Sequence, residues 1–338
     1  MTEPGAKKFQ DTAATIAKLK KVFVKTPTFL RLRDQFLELH YQRLADLSEG
    51  NSSDCTALLL TGPPGSGKTL MTKQLAMNLP EVRSDKSCRH IDVVRVRAPA
   101  KTTVLNLGKQ ILGEMGYPHS KASNQFEIWD QIEKQFQQRQ VKFLIIDETH
   151  DLIFNHQGRE ILTALSTLKS VLNGMNWPVN LLLAGTPELA ELVTLNGEVN
   201  RRKEIIEIPK LSWVQDGDNF QPILQHIASK AGLGISPDLE GEDFVFRLFH
   251  AAQHKPGLAF KFIVEAVRPC LNDGRQILTR EHFAQYARKK FNCLDGLNPF
   301  LSPDFRDISV SEQTKEEENS LTRIALQRAL ARWKANGS

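Results

Sequence analysis

The sequence predicts an α/β fold, a parallel five-stranded sheet flanked by helices with a helical lid after it, and three observations carry that prediction. Five short runs, Ala57–Thr61, Ile91–Val96, Phe143–Ile146, Val179–Ala184 and Glu204–Ile208, have strand length and are rich in branched and apolar residues. The first of them runs straight into Gly62-Pro63-Pro64-Gly65-Ser66-Gly67-Lys68-Thr69 and then into a helical stretch. From Leu211 to about Leu294 the periodicity is helical, with no strand alternation.

The bulk properties bound the reading. A chain of 338 residues has room for two domains, and 41% apolar with 25% charged residues is an ordinary globular composition. The net charge of +5 permits a polyanionic partner without requiring one. No apolar run has the length of a membrane span, and Met1 to Gln10 is polar without a signal-peptide core, so a cytoplasmic protein is expected, with no membrane partner. Cys55, Cys88, Cys270 and Cys293 stand far apart, which argues against a disulfide framework or a zinc site.

Taken in order, residues 1–50 read as a helical segment. Thr26 is placed to cap a helix with Pro27 at its first position, and Leu37, Tyr41 and Leu44 recur on one face. Ser48 to Asp54 is polar and leads into a core spanning 51–210. In the glycine-rich loop, small residues let successive N–H groups point at phosphate oxygens, and the helix that follows adds its positive dipole end. Lys68 is expected to reach the β- and γ-phosphates and Thr69 to place its hydroxyl on Mg2+. The expected nucleotide-binding set is Gly62, Pro63, Pro64, Gly65, Ser66, Gly67, Lys68, Thr69 and Leu70, and the expected cofactors are ATP and Mg2+.

The second strand opens into Arg97-Ala98-Pro99-Ala100-Lys101-Thr102-Thr103, a basic loop with hydroxyls, and the loop from Tyr117 to Asn124 repeats that mixture. Both suit either phosphate contact or plain solvent exposure. The third strand ends in Asp147-Glu148. A buried parallel strand delivers its acids at the carboxyl end, where an open α/β sheet holds its ligand. There Asp147 is expected to help hold the cation and Glu148 to orient and deprotonate an attacking water. The fourth strand ends at Thr186, either a sensor of the γ-phosphate or a simple cap before Pro187. Arg201 and Arg202 precede the last strand, where a planar, permanently charged group suits a developing phosphate charge supplied by a neighbouring subunit. Residues 211–295 form the helical lid, and 296–338 comprise a linker, the acidic stretch Glu312–Glu318 and an amphipathic helix from Leu321 to Trp333, read as a docking peptide or a helix folded back on its own domain.

The order of these parts resembles the AAA+ P-loop NTPases. Within them the strings Leu59 to Thr69, Leu144 to Leu152 and Leu182 to Leu189 are similar to the TnsC/TniB transposition regulators, relatives of the Mu transposon B protein and of initiator ATPases. The resemblance covers roughly Phe29 to Lys290. It implies an ATPase that oligomerises as a ring or filament on duplex DNA, binds it without regard to sequence, and recruits a transposase under a target-selecting partner. It implies roles for Lys68, Thr69, Asp147 and Glu148 in nucleotide hydrolysis, for Thr186 as first sensor and for Arg201 as arginine finger. It also implies that Lys101, Thr102, Thr103, Ser120 and Lys121 track the DNA backbone, a contact that is salt-sensitive. The lid motif His254-Lys255-Pro256-Gly257 departs from the family in lacking an arginine soon after the glycine, with only Lys261 nearby.

Two other classes compete. Asp147-Glu148-Thr149-His150 also fits the Asp-Glu-x-His box of helicases, although no second motor domain follows Ile208. A nucleotide-gated signalling ATPase shares the same core and normally adds a separate sensor or effector domain.

Overall fold

The structure, a computed structural model, describes residues 4–51, 55–83, 89–98, 103–117, 124–153, 159–174 and 177–310. In chain order the elements are α1 (Pro4–Leu19), α2 (Pro27–Ser48), β1 (Ala57–Thr61), α3 (Lys68–Asn78), β2 (Val93–Arg97), α4 (Val104–Glu114), α5 (Gln125–Arg139) and β3 (Phe143–Asp147). They continue with α6 (His150–Ile153), α7 (Arg159–Asn173), β4 (Asn180–Gly185), α8 (Glu188–Val193), α9 (Gly197–Arg201) and β5 (Lys203–Glu207). The remainder is α10 (Trp213–Lys230), β6 (Gly234–Ile235), α11 (Glu242–Ala251), α12 (Pro256–Asn272), β7 (Ile277–Leu278) and α13 (Arg280–Phe291).

The chain folds into two units, each with its own core. One comprises residues 25–64 and 68–208; the other comprises residues 1–24, 65–67 and the described residues from 209 onward. The first holds a five-stranded parallel sheet in the order β2-β3-β4-β1-β5. Strands β1, β3 and β4 are buried along their whole length, which is why they read as continuous apolar runs rather than as alternation. Helices α4, α5 and α7 pack Leu107, Ile111, Ile132, Phe136, Leu165 and Leu168 into the same core. Helix α2 starts as expected, with Thr26 accepting from the Phe29 N–H and Pro27 at its first turn, and its Phe36 stacks on Phe143 at 4.1 Å.

The second unit is a helical bundle. Phe244, Phe283 and Phe300 meet in its core, and buried Arg247 is satisfied by Asp243 and by the carbonyls of Pro299 and Ser302. Helix α1 packs here: Ile16 and Leu19 join this core, and Lys20 pairs with Glu265 of α12 at 2.8 Å. Residues 1–50 are thus divided between the two units. The expectation of no strand in this region is corrected by β6 and β7, which pair in parallel over two residues each, too short to leave any alternation in the sequence. Residues 311–338, with the acidic stretch and the terminal amphipathic helix, lie outside the described residues.

Candidate functional site

The register of the sheet gathers the chemistry at one edge. Thr61 pairs with Gly185 and Ile146 with Leu183, so the carboxyl ends of β1, β3 and β4 deliver the glycine-rich loop, the two acids and Thr186 to the same side. The Gly62 N–H donates to the Gly185 carbonyl at 3.2 Å, tying the start of the loop to β4.

In the loop Gly65 and Gly67 have φ of +83° and +105°, a backbone region that side chains strain to enter, and this explains why glycine stands at both. Pro64 and Gly65 are exposed, as are Thr69 and Leu70 at the start of α3, while Ser66 is buried with no hydrogen-bond partner for its hydroxyl among the described residues. Lys68 is buried, and its ammonium donates to the carbonyls of Gly62 at 2.7 Å and Pro63 at 3.0 Å.

Asp147 is 0% exposed. Its Oδ1 accepts from the Glu148 N–H at 3.1 Å, and its Oδ2 accepts from the Arg95 guanidinium at 2.7 Å. Glu148 has φ of +57°, in the left-handed region where a residue with a β-carbon is strained; such strain persists where the surrounding structure fixes it and is concentrated at functional sites. The Glu148 carboxylate faces Arg97 at 3.7 Å and His150 Nδ1 at 3.4 Å. Thr149 locks this turn, its N–H donating to Ala184 and its hydroxyl to Ile146. The Thr186 hydroxyl, like that of Ser66, is buried with no partner among the described residues. Two orphaned buried hydroxyls, two glycines at positive φ and a buried carboxylate on one sheet edge fit a phosphate chain with a hard cation. Among the described residues no cluster of three or more His, Cys, Asp or Glu could hold a metal alone, and Mg2+ characteristically takes one or two protein ligands together with substrate phosphates.

Arg201 lies elsewhere. Ala57 pairs with Lys203, and the Ala57 N–H donates to the Arg202 carbonyl, so α9 ends at the amino edge of the sheet, opposite the glycine-rich loop. Arg201 is exposed, with Nε on its own helix at the Gly197 carbonyl, whereas Arg202 is tied to Asn173 at 2.7 Å. Thr103 uses its hydroxyl as the cap of α4, accepting from the Asn106 N–H at 3.2 Å. Lys101, Thr102, Ser120 and Lys121 lie outside the described residues.

Arg95, Arg97 and Thr72 were not singled out from the sequence. The signal was present: two arginines at alternate positions of an otherwise apolar strand share one face, and a charge on a buried strand needs a partner.

An AAA domain model matches residues 51–193. No curated protein sequence matches the chain. Among solved structures the chain is similar to the ORC2 protein of Aeropyrum pernix in ADPNP–ADP complexes, with 15% identity, a TM-score of 0.50 and coverage of 75% of this chain and 66% of that one. It is similar to the ORC1 protein of the same organism in complex with DNA, with 18% identity, a TM-score of 0.51 and coverage of 75% and 66%. It is similar also to the Drosophila ORC bound to DNA, with 13% identity, a TM-score of 0.53 and coverage of 86% and 67%. The likeness spans about two thirds of the length of those proteins. The parallel sheet with its flanking helices is the AAA+ P-loop fold, and residues 51–193 match an AAA domain. No helix among the described residues is long and apolar enough to cross a membrane.

Proposed function

We propose that this chain is an ATP-dependent regulator that assembles on duplex DNA without sequence preference and recruits a transposase for insertion, as the TnsC/TniB-like strings imply. The observation that carries the reading is the division of one site between two sheet edges: Lys68, Asp147, Glu148 and Thr186 stand at the carboxyl edge and Arg201 at the amino edge. One copy does not bring its own Arg201 to its own loop, so a neighbouring copy supplies it. Two of the similar solved structures are described as DNA complexes, which supports duplex DNA as the polyanion that the mildly basic chain binds.

In this reading ATP is the substrate, and Thr69 and Asp147 hold its Mg2+, which when bound neutralises phosphate charge. Lys68 exchanges its two neutral carbonyl acceptors for anionic phosphate oxygens, an ion pair in place of an ion–dipole contact. The Ser66 and Thr186 hydroxyls, without partners among the described residues, donate to phosphate oxygens or to the attacking water. Glu148 accepts the water proton. Arg201 of a neighbouring subunit meets the charge that develops on the transferred group. Lys101, Thr102, Thr103, Ser120 and Lys121 contact DNA phosphates, and a target-selecting partner decides where assembly occurs.

The test is binding of the full chain to a labelled, random-sequence duplex with a non-hydrolysable ATP analogue, with ADP and with neither. Tight, length-dependent binding with the analogue alone is expected, abolished by Lys68→Ala, and with ATP it is prolonged by Glu148→Gln. No duplex binding in any state overturns the DNA reading and favours a nucleotide-gated signalling ATPase.

A further inference from the structure

Arg95 occupies an unusual place for a strand residue. It sits on β2 opposite Ile145, two residues before the end of the strand, and its guanidinium reaches across to α3 and to the end of β3 at once. One amino group bonds Asp147 Oδ2 at 2.7 Å, Nε donates to the Thr72 hydroxyl at 3.2 Å, and the Thr69 carbonyl lies at 3.5 Å from the terminal nitrogen. Thr72 in turn donates to the Thr69 carbonyl, and its side chain is fully buried. The fork therefore joins the helix turn that carries Thr69 to the carboxylate that completes the same cation site.

A carboxylate buried as deeply as that of Asp147 requires a compensating cation. Among the described residues Arg95 is that cation. From this geometry we infer that Arg95 is a positioning residue of the metal site, competing with Mg2+ for Asp147 Oδ2 and so setting the Mg2+ concentration at which the site accepts metal-bound nucleotide. The inference rests on the nucleotide site proposed above. Arg95 holds the Asp147 carboxylate aimed before nucleotide arrives, and it yields one oxygen when the metal comes. The bonds to Thr72 and Thr69 keep the guanidinium beside the site, so that it recaptures the carboxylate when the metal leaves.

The experiment titrates Mg2+ into the full chain with a fluorescent ADP analogue, starting in EDTA, and reads the Mg2+ midpoint for tight binding. Arg95→Gln is expected to move that midpoint to about tenfold lower Mg2+, the weight of one charge-assisted hydrogen bond that the metal no longer displaces. Its metal-free affinity stays as in the wild type. In EDTA without nucleotide the variant melts at a lower temperature, and Mg2+ with ADP restores the difference. Arg95→Lys, which keeps the charge, returns the midpoint toward the wild-type value. Thr72→Val, which removes the hydroxyl that accepts from Arg95 and donates to the Thr69 carbonyl, shifts the midpoint the same way by less, and decides the matter if Arg95→Gln does not fold. A merely structural role predicts weaker nucleotide binding with and without metal and no downward shift. An unchanged or raised midpoint in Arg95→Gln, or in Thr72→Val where the former is insoluble, overturns the inference while leaving the nucleotide site standing. A wild-type chain that binds no nucleotide at all overturns both.

Discussion

Asp92 is the most informative residue to perturb in the frame that holds the site. It stands just before β2, with Lys142 just before β3, and its carbonyl accepts from the N–H groups of both Lys142 and Phe143 at 2.9 Å. Its carboxylate is paired with the Lys142 ammonium and with Arg83, and the Lys142 and Asp92 side chains are only 1% and 3% exposed. Burial by itself pushes the carboxyl up, but the hydrogen bonds from Arg83 and Lys142 more than reverse this and hold it at about 2 rather than 3.8. That difference corresponds to about 2 kcal/mol at about 1.4 kcal/mol per pH unit. Because the folded value is depressed, the stability is present above pH 3.8 and is lost as pH falls toward 2, where the unfolded chain binds the extra proton. Asp92→Asn removes the charge and strands the Lys142 ammonium, so the expected cost at neutral pH is about 3 to 5 kcal/mol. The assay is urea unfolding followed by tryptophan fluorescence. Trp177, whose indole donates to the Val141 carbonyl beside Lys142, reports on this region. Wild type should lose about 2 kcal/mol more than Asp92→Asn between pH 5 and 2, and Lys142→Met combined with Asp92→Asn should recover part of the neutral-pH loss. A variant within about 1 kcal/mol of wild type at neutral pH, or one that keeps the full acid slope, refutes this account of the pair.

His40, 1% exposed on α2, is held below its ordinary value of 6.5, chiefly by burial and further by Lys142 and Arg83, with Asp92 opposing. Its stabilising share is therefore present above pH 6.5 and lost as pH falls through the depressed value; His40→Phe should flatten stability between pH 7 and 5 in the same unfolding assay, and an unchanged slope would contradict this. Arg201→Ala should lower assembly-stimulated ATP hydrolysis by about a thousandfold or more while leaving nucleotide affinity intact. Arg202→Ala, which breaks the bond to Asn173, should not, and a reversed pattern in steady-state hydrolysis would move the finger role to Arg202.

What the sequence disclosed and what it withheld divide along a physical line. The loop from Gly62 to Thr69 and the pair Asp147-Glu148 were legible because their chemistry is contiguous: strand, turn and side chains follow one another, so local order is enough. The partners of those acids were not legible, because Arg95 and Arg97 reach Asp147 and Glu148 through a strand pairing set by the register Arg97 to Asp147, which no local pattern states. The same limit applies to α1. Its periodicity marks a buried face, but only the fold shows that Ile16 and Leu19 bury it in the helical unit and not with α2. Glu148 sits at φ of +57°, a position where sequence preference favours glycine or asparagine, so the carboxylate is there at a conformational cost that local propensity does not explain and that the proposed role would.

Parallel topology has a consequence for how the proposed ATPase is switched. Every strand of the sheet points the same way, so catalytic groups that follow strands fall on the carboxyl edge and a group that precedes a strand falls on the amino edge. Arg201 precedes β5, while Lys68, Glu148 and Thr186 follow β1, β3 and β4. No rotamer change carries an arginine side chain from one edge to the other, since a five-residue strand is roughly 17 Å long and the arginine side chain is far shorter. Hydrolysis in the proposed scheme is therefore a property of two copies in contact and should rise with concentration or with a DNA template that gathers them. That coupling arises from where a residue stands in the order of strands, before any contact with DNA is made.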